Sequence, residues 1–179
     1  MKTLHPILLN KENFSSYGDV LSIENSDSIL INEGYAQKHF NLATLDATQN
    51  GGKSALHIYV AKQREFPLKI NMLEKHPHFS QAFIPRSNKP FLVLVCLGDE
   101  SPDLNTLQAF ITNGDQGVHY KRGIWHFPLI SIEDDEQFIV LDRTDCGIKE
   151  NKVEECIEYY FDVDLNLNLL KEVKINDKY

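Results

Sequence analysis

Apolar and polar residues alternate with a period of two along much of this chain, and turn-forming residues separate the alternating segments. Residues 56–61 (LHIYVA) and 67–71 (PLKIN) alternate, whereas residues 90–98 (PFLVLVCLG) are almost continuously apolar, as expected of a strand buried on both faces. Asn113-Gly114 falls between two apolar segments, where residues that tolerate positive φ are expected. This pattern predicts an all-β fold, an antiparallel sandwich or barrel.

Two further stretches complete the predicted organisation. Residues 101–111 (SPDLNTLQAFI) predict a short helix across one end of the barrel, with Ser101 as N-cap and Pro102 at the first helical position. Residues 157–169 (IEYYFDVDLNLNL) alternate throughout and predict one long amphipathic strand. No linker, repeat or low-complexity block interrupts the chain, so we predict a single domain over residues 1–179, with a C-terminal strand extension from about residue 150.

Charge and composition exclude several classes of protein. The formal net charge is −8, and the 18 basic residues are scattered, which argues against binding to nucleic acid. No apolar run approaches the roughly 18 residues that span a bilayer, and the N-terminal segment has no signal-peptide pattern, so we expect a cytoplasmic protein with no membrane partner. Cys96, Cys146 and Cys156 lack disulfide or zinc-site spacing, and Cys96 is expected in the core.

Residues 73–85 (LEKHPHFSQAFIP) carry the first chemical signal. Cupins, the double-stranded β-helix proteins, place two metal ligands two residues apart on one strand, so that both side chains point into the barrel, and a third ligand after a bend. Glu74, His76 and Gln81 occupy those three positions here, and His126, three residues after Gly123, matches a fourth ligand on a later strand. The spacing predicts a bend at the proline after His76 and a site for a divalent ion.

Several segments together resemble the ureidoglycolate lyase family. They are FSSYGDVL (14–21), INEG (31–34), LEKHPHFSQAFIP (73–85), PDLNTLQAFITNGDQGVHYKRGIWHFPL (102–129) and LDR (141–143). The resemblance implies a cupin-like β-barrel with one or two short helices, usually a homodimer. It implies an enzyme that cleaves (S)-ureidoglycolate to glyoxylate and urea in allantoin breakdown. It also implies a divalent metal, nickel in particular, and no organic cofactor.

Two positions depart from the pattern of that family. Val60 stands where the family typically has an arginine, and Phe127 where it often has a second histidine. Two alternatives to the lyase therefore remain open. One is an amidohydrolase that acts on the same substrate and releases ammonia. The other is a cupin that binds or senses a small molecule without turnover.

The chemistry of the reaction suggests which residues take part. Cleaving a carbinolamide requires a proton to leave the hydroxyl and another to reach the departing nitrogen, steps that suit histidine. We therefore predict His76, His126 and Tyr120 as catalytic residues, although Tyr120 could instead cap a strand. A metal would bind the substrate's carboxylate and hydroxyl together, and its predicted ligands are Glu74, His76, Gln81 and His126.

Five further residues are predicted to contact the small-molecule substrate. The resemblance suggests Asn32 and Gly34, although a purely structural turn is the equal rival. Trp125 is more often a core or pocket-wall residue than a chemical group, and we assign it only to the wall. Arg122 is a candidate anchor for the substrate carboxylate, although a charge at a hairpin tip is the commoner meaning of such a residue. Arg143 is the fifth; it and Asp142 must point to opposite faces of a regular strand, so only one of the two can enter the pocket.

Overall fold

The computed structural model describes residues 2–144 and 156–169. Within these ranges the chain is mostly β. The first strands are β1 (Lys2–Leu4), β2 (Ile7–Leu8), β3 (Gly18–Leu21), β4 (Ser28–Ile31), β5 (Ala36–His39), β6 (Ser54–Ala61), β7 (Leu68–Lys69), β8 (Met72–Lys75) and β9 (Gln81–Pro85). They are followed by β10 (Phe91–Cys96), β11 (Gln108–Ile111), β12 (Gly117–Tyr120), β13 (Trp125–His126), β14 (Ile130–Ser131), β15 (Glu136–Arg143), β16 (Ile157–Tyr160) and β17 (Leu165–Leu167).

Helical structure is short. The helix α1 (Lys11–Phe14) begins at Asn10, whose side chain accepts a hydrogen bond from the backbone N–H of Asn13 and so caps the helix. Single 3₁₀ turns occupy Asn32–Gly34, Gln49–Gly51 and Leu104–Thr106. None of the helices in the described ranges is long and apolar enough to cross a membrane.

The described strands form two larger sheets and two smaller ones. The first sheet has the order β16-β8-β13-β10-β11-β2, with β14 also paired to β10, and the second has the order β3-β12-β9-β15-β6. A small sheet joins β1, β17 and β7, and β4 pairs with β5 as a separate hairpin. Pairing is antiparallel in most cases, and the described β1–β17 and β11–β2 pairs are parallel. The predicted all-β class with antiparallel sheets is therefore confirmed.

Two buried clusters place these sheets in layers. Residues of β10 alternate between the clusters, since Phe91, Val93 and Val95 belong to one and Leu92 and Leu94 to the other. The first cluster fills the space between the two larger sheets, and the second is covered by the small sheet. This is why residues 91–96 are buried on both faces and read as a continuous apolar run. Cys96 lies in the second cluster, as predicted.

The chain crosses between the two larger sheets twice at the same end of the sandwich. Residues 76–80 lead from β8 in the first sheet to β9 in the second, and residues 121–124 lead from β12 in the second sheet to β13 in the first. The crossings lie side by side, because the backbone N–H of Gly123 donates to the carbonyl of His76 at 2.9 Å. Gly123 has a φ of 78°, a conformation that glycine adopts without steric cost.

The predicted helix over residues 101–111 is wrong. Only Leu104–Thr106 forms a helical turn, and Gln108–Ile111 is a strand that pairs with β10. The hydroxyl of Thr106 accepts a hydrogen bond from the backbone N–H of Leu97 and ties this turn to the end of β10. Because every residue of β10 is buried, its backbone groups need partners, and this pairing outweighs the helical spacing of three leucine and isoleucine side chains.

The predicted long strand over residues 157–169 is correct only in part. It divides into β16, which pairs with β8, and β17, which pairs with β1 and β7 in a different sheet. Alternation persists across the break, so the sequence pattern alone does not reveal where one strand ends. The predicted boundary near residue 150 lies outside the described residues.

Candidate active site

Two pairs of neighbouring residues face each other where the chain crosses between the sheets. Glu74 on β8 is the cross-strand partner of His126 on β13 in the first sheet. Gln81 on β9 is the cross-strand partner of Tyr120 on β12 in the second sheet. The short turn after Tyr120 brings the second pair against the first, and the rings of Tyr120 and His126 stack with centroids 4.6 Å apart.

Three of the four predicted metal ligands form a compact cluster. The ligand atoms of Glu74, His76 and His126 all lie within 4.8 Å of one another. His76 and His126 are 6% and 2% exposed, and the Glu74 side chain is 20% exposed. One carboxylate and two imidazoles are a donor set suited to a divalent transition metal. We call these three residues the Glu–His–His cluster.

The tautomer of His126 leaves a lone pair directed toward Glu74. Nδ1 of His126 lies 3.0 Å from the carbonyl oxygen of Ile124, and because a carbonyl only accepts, Nδ1 carries the proton. In the neutral ring Nε2 is then a bare acceptor, and it lies 3.5 Å from the Glu74 carboxylate. Two acceptors this close are stabilised by a cation between them, either a proton or a metal ion. The residues therefore fit a divalent metal, with the Ile124 carbonyl orienting the imidazole.

Neighbouring aromatic rings hold both imidazoles in place. The His76 ring stacks on Phe79 with centroids 4.4 Å apart. The His126 ring lies between His76, at a centroid distance of 5.2 Å, and Tyr120. Tyr120 is almost fully buried, and burial raises the pKa of its hydroxyl well above the ordinary value, so the phenol stays protonated at neutral pH.

The Glu74 carboxyl is ionised in this setting. Burial raises its pKa, but when a proton lies between Glu74 and His126, the hydrogen bond and charge of His126 and the charge of His76 outweigh that effect, and the pKa lies below its ordinary value. The second carboxylate oxygen, Oε2, accepts a hydrogen bond from Sγ of Cys156 at 3.5 Å. Glu74 therefore offers one oxygen toward His126 and another toward the outer side of the cluster.

Gln81, the fourth predicted ligand, has a contact that the sequence did not suggest. Its side-chain amide Nε2 donates to Oδ2 of Asp142 at 3.3 Å, and both side chains are buried. The other Asp142 oxygen, Oδ1, lies 3.0 Å from Nε2 of His57. Burial raises the pKa of the Asp142 carboxyl, while the contacts with Gln81 and His57 act to lower it. Sequence reasoning left open whether Asp142 or Arg143 points inward, because strand alternation alone cannot decide it.

Arg122 and Trp125 lie in or beside the turn that joins the two sheets. Arg122 forms an ion pair with Asp46 at 3.0 Å, and both side chains are partly exposed. Trp125 points to the opposite face of β13 from His126 and packs in the second buried cluster, where the Lys75 ammonium lies 4.6 Å from the centre of its ring. The structure thus places Trp125 in the core rather than beside the Glu–His–His cluster.

The remaining predicted substrate contacts lie further away. Arg143 is buried on the face of β15 opposite to Asp142, and it donates to the carbonyl of Gln49 at 2.7 Å. Asn32 and Gly34 lie at the exposed tip of the β4–β5 hairpin, with φ angles of 51° and 92°. The structure of one chain does not bring these three residues to the Glu–His–His cluster.

The two departures from the family pattern also lie outside the cluster. Val60 is 59% exposed on the outer face of β6. Phe127 is buried in the second cluster of the core, where the Arg64 guanidinium lies 5.9 Å from its ring centre. Neither substitution removes a group from the face that carries Gln81, Tyr120 and Asp142.

Comparison with known proteins gives one consistent result. Residues 1–168 match the family described as Ureidoglycolate lyase. A protein of Pseudomonas paraeruginosa named ureidoglycolate lyase is 41% identical over 169 residues, which covers 94% of this chain and 96% of the relative. Proteins of the same name from Pseudomonas syringae pv. tomato and Stutzerimonas stutzeri are 39% and 41% identical over 169 residues, with the same coverage.

Proposed function

Because the chain belongs to the ureidoglycolate lyase family, we propose that it is a carbon–nitrogen lyase that cleaves (S)-ureidoglycolate to glyoxylate and urea. The bond between the carbinol carbon and the ureido nitrogen breaks, and its electron pair stays on nitrogen. The hydroxyl loses its proton as its oxygen becomes the aldehyde carbonyl, and the nitrogen gains one proton. The reaction requires neither an oxidant nor a covalent intermediate.

The observation that carries this proposal is the Glu–His–His cluster at the crossing between the two sheets. Glu74, His76 and His126 would hold a divalent ion, and we propose nickel from the family resemblance. When bound, such an ion would accept the substrate's carboxylate and hydroxyl as ligands, lower the pKa of the hydroxyl and polarise the forming carbonyl. His76 and His126 would contribute to catalysis by holding this ion, and Gln81 is not needed as a ligand in our proposal.

The two proton transfers fall to Glu74 and Tyr120. Oε2 of Glu74, which accepts a hydrogen bond from the Cys156 thiol, exchanges this partner for the substrate hydroxyl and accepts its proton, because the carboxyl is ionised. The Tyr120 hydroxyl, which burial keeps protonated, donates a proton to the departing ureido nitrogen. Its ring is fixed against His126, so the hydroxyl and the ion-binding imidazole keep a constant separation.

We propose Arg122 as the residue that attracts the substrate carboxylate. Arg122 precedes Gly123, whose backbone N–H donates to the carbonyl of His76, a member of the cluster. Its guanidinium is already paired with an exposed carboxylate, that of Asp46, and a substrate carboxylate can replace this partner without burying an unpaired charge. In a chain with a net charge of −8, such a cation favours the approach of an anionic substrate.

We extend the proposal to the architecture. The two larger sheets, with their paired crossings, support a cupin-like barrel, and we propose one such domain over residues 1–179 in a cytoplasmic homodimer. The outer face of β6 supports self-association, since Leu56, Ile58 and Val60 are 63%, 56% and 59% exposed on a strand at the edge of its sheet.

A product time course tests the proposed reaction. Racemic ureidoglycolate is incubated with the protein, and urea, ammonia and glyoxylate are assayed together against spontaneous decay. We expect urea and glyoxylate in equal amounts, no ammonia, and a halt when half of the racemate is consumed. Ammonia in place of urea would indicate the amidohydrolase. The absence of turnover with any added metal would indicate a binding protein.

A further inference from the structure

A row of polar side chains crosses the inner face of the second sheet at the level of the cluster. Tyr120 and Gln81 are cross-strand partners, and the pairing of Leu141 with Ala82 places Asp142 beside Gln81 at the next position. Asp142 is 2% exposed and Gln81 is 5% exposed. Buried polar groups in such a row cost free energy unless each has a partner, so their contacts define their orientation.

Asp142 determines which way the Gln81 amide points. Nε2 of Gln81 donates to Oδ2 of Asp142 at 3.3 Å, so the NH₂ group of the amide is the one that faces Asp142. The Gln81 carbonyl oxygen then faces away from Asp142, on the side of the neighbouring strand that carries Tyr120. On the other side of Asp142, His57 contacts the second carboxylate oxygen at 3.0 Å. His57 is 39% exposed, so it closes the row at the protein surface.

We propose that Asp142 is a positioning residue of the lyase reaction: it holds the Gln81 amide so that the carbonyl oxygen faces the Glu–His–His cluster and accepts a hydrogen bond from the ureido N–H groups of the substrate. His57 fixes the Asp142 carboxylate from the surface side. The inference rests on the proposed function and adds the recognition of the ureido end of the substrate, which neither the cluster nor Arg122 explains.

The fixed orientation of the Gln81 amide makes its carbonyl oxygen selective for a ureido group. A ureido group presents several N–H donors and one carbonyl, so it matches a fixed acceptor oxygen. A freely rotating amide would match either a donor or an acceptor and would discriminate less. A site built to accept from an N–H also rejects analogues that lack it, since its own polar atom is then left unpaired.

Asp142→Asn tests the inference because it keeps size and burial but lets residue 142 both donate and accept. The Gln81 amide is then no longer held in one orientation. We expect KM for ureidoglycolate and the inhibition constant for urea to rise together by about tenfold, with kcat changed by less than about threefold, as for loss of one hydrogen bond. Glu136→Gln is the matched control, since Glu136 is a buried carboxylate on the same strand at its far end.

A charge-conserving exchange provides the second arm. The double variant Asp142→Asn and Gln81→Glu reverses donor and acceptor, and it again leaves an oxygen of residue 81 facing the cluster. We expect it to restore KM and the urea inhibition constant to within about threefold of the wild type. Should Asp142→Asn fail to fold, His57→Gln at the partly exposed end of the row loosens the same carboxylate, and KM is expected to rise about threefold.

The outcomes separate this inference from the proposed function. A wild-type protein without lyase turnover overturns the proposed function. A wild-type protein with turnover, but with KM and urea inhibition unchanged in Asp142→Asn or changed equally in Glu136→Gln, overturns the inference alone. A loss of kcat with unchanged KM and unchanged urea inhibition also contradicts it, since that result would indicate a role in the chemical step.

Discussion

The ring of Tyr120 stacks on the ring of His126, with centroids 4.6 Å apart and planes inclined at 29°. The two residues belong to different sheets and are separated along the chain by the turn at 121–124 and by Trp125, the first residue of β13. His126 is therefore held in its plane by Tyr120 and in its tautomer by the Ile124 carbonyl. One contact thus couples the proposed proton donor to a proposed metal ligand.

Tyr120→Phe should lower kcat about 100-fold and leave the melting temperature nearly unchanged. The variant keeps the aromatic ring that packs on His126 and Phe83 but lacks the hydroxyl that we propose as proton donor. Steady-state kinetics and thermal unfolding measure the two effects. Tyr17→Phe is the control, because it removes a hydroxyl bonded to the Thr106 carbonyl, away from the cluster. Equal kcat in wild type and Tyr120→Phe would rule out the assigned role.

Metal content should depend on the cluster. Protein loaded with nickel and then desalted is expected to retain about one ion per chain, and His76→Gln should retain far less, as measured by elemental analysis. The control is His119→Gln, which alters a buried histidine paired with Asp19 at 2.9 Å outside the cluster. Nickel retained equally by His76→Gln and wild type would show that the ion binds elsewhere.

Glu74→Gln should separate ion binding from proton transfer. The amide oxygen can still act as a ligand, but the side chain no longer accepts a proton, so we expect kcat to fall about 100-fold or more with a smaller loss of bound nickel. Glu74→Ala should lose both. Nickel binding and initial rates measured on the same samples test this. Full activity in nickel-loaded Glu74→Gln would remove Glu74 from the proton transfer.

Glu136→Gln should raise stability at pH 7 more than at pH 4. Burial raises the pKa of the Glu136 carboxyl, so the folded state favours the protonated form, and ionisation costs stability as pH rises from the unfolded value of about 4.3 through the raised folded value. Glutamine is neutral, like the protonated carboxyl, so the stability gained by the substitution is absent at low pH. Thermal unfolding at both pH values measures it. The control is Glu100→Gln, which alters an exposed carboxylate that does not contribute to the Glu136 shift. A larger gain in stability at pH 4 than at pH 7 would show that the Glu136 pKa is lowered in the folded state.

Ile58→Asp should convert the proposed dimer into a monomer. It places a charge in the centre of the exposed apolar row on β6, at a position that is 56% exposed, so the fold should tolerate the change. Light scattering after size exclusion measures the mass. Ile29→Asp is the control, since Ile29 is 51% exposed on the hairpin, away from this row. A monomeric wild type, or a dimeric Ile58→Asp protein, would contradict the proposed surface.

The sequence predicted correctly those strands whose residue pattern matches the burial that the tertiary structure gives them. The alternation at 56–61 appears as β6 and the apolar run at 90–98 contains β10. The spacing of Glu74, His76 and His126 predicted their meeting, because two ligands on neighbouring strands reach the same depth. Residues 101–111 show the limit, since their helical spacing was overridden by the unpaired edge of a fully buried strand.

Side-chain partners were less accessible to prediction than strand positions. Trp125 adjoins His126 in sequence, yet strand alternation sends it into the core. Asp142 was one of two neighbouring charged residues, and only the register with Gln81 shows which of them faces inward. Asn32 and Gly34 lie on a hairpin whose place relative to the cluster depends on tertiary structure, which local turn chemistry does not encode.

The most direct test of the central claim compares the nickel-loaded wild type with nickel-loaded His126→Gln. The initial rates of urea and glyoxylate release from ureidoglycolate are measured at equal protein concentration, with spontaneous decay subtracted and folding verified by thermal unfolding. We predict equal release of both products by the wild type and a rate close to spontaneous decay for the variant. A folded His126→Gln protein that releases urea at the wild-type rate would contradict the assignment of the Glu–His–His cluster as the active site.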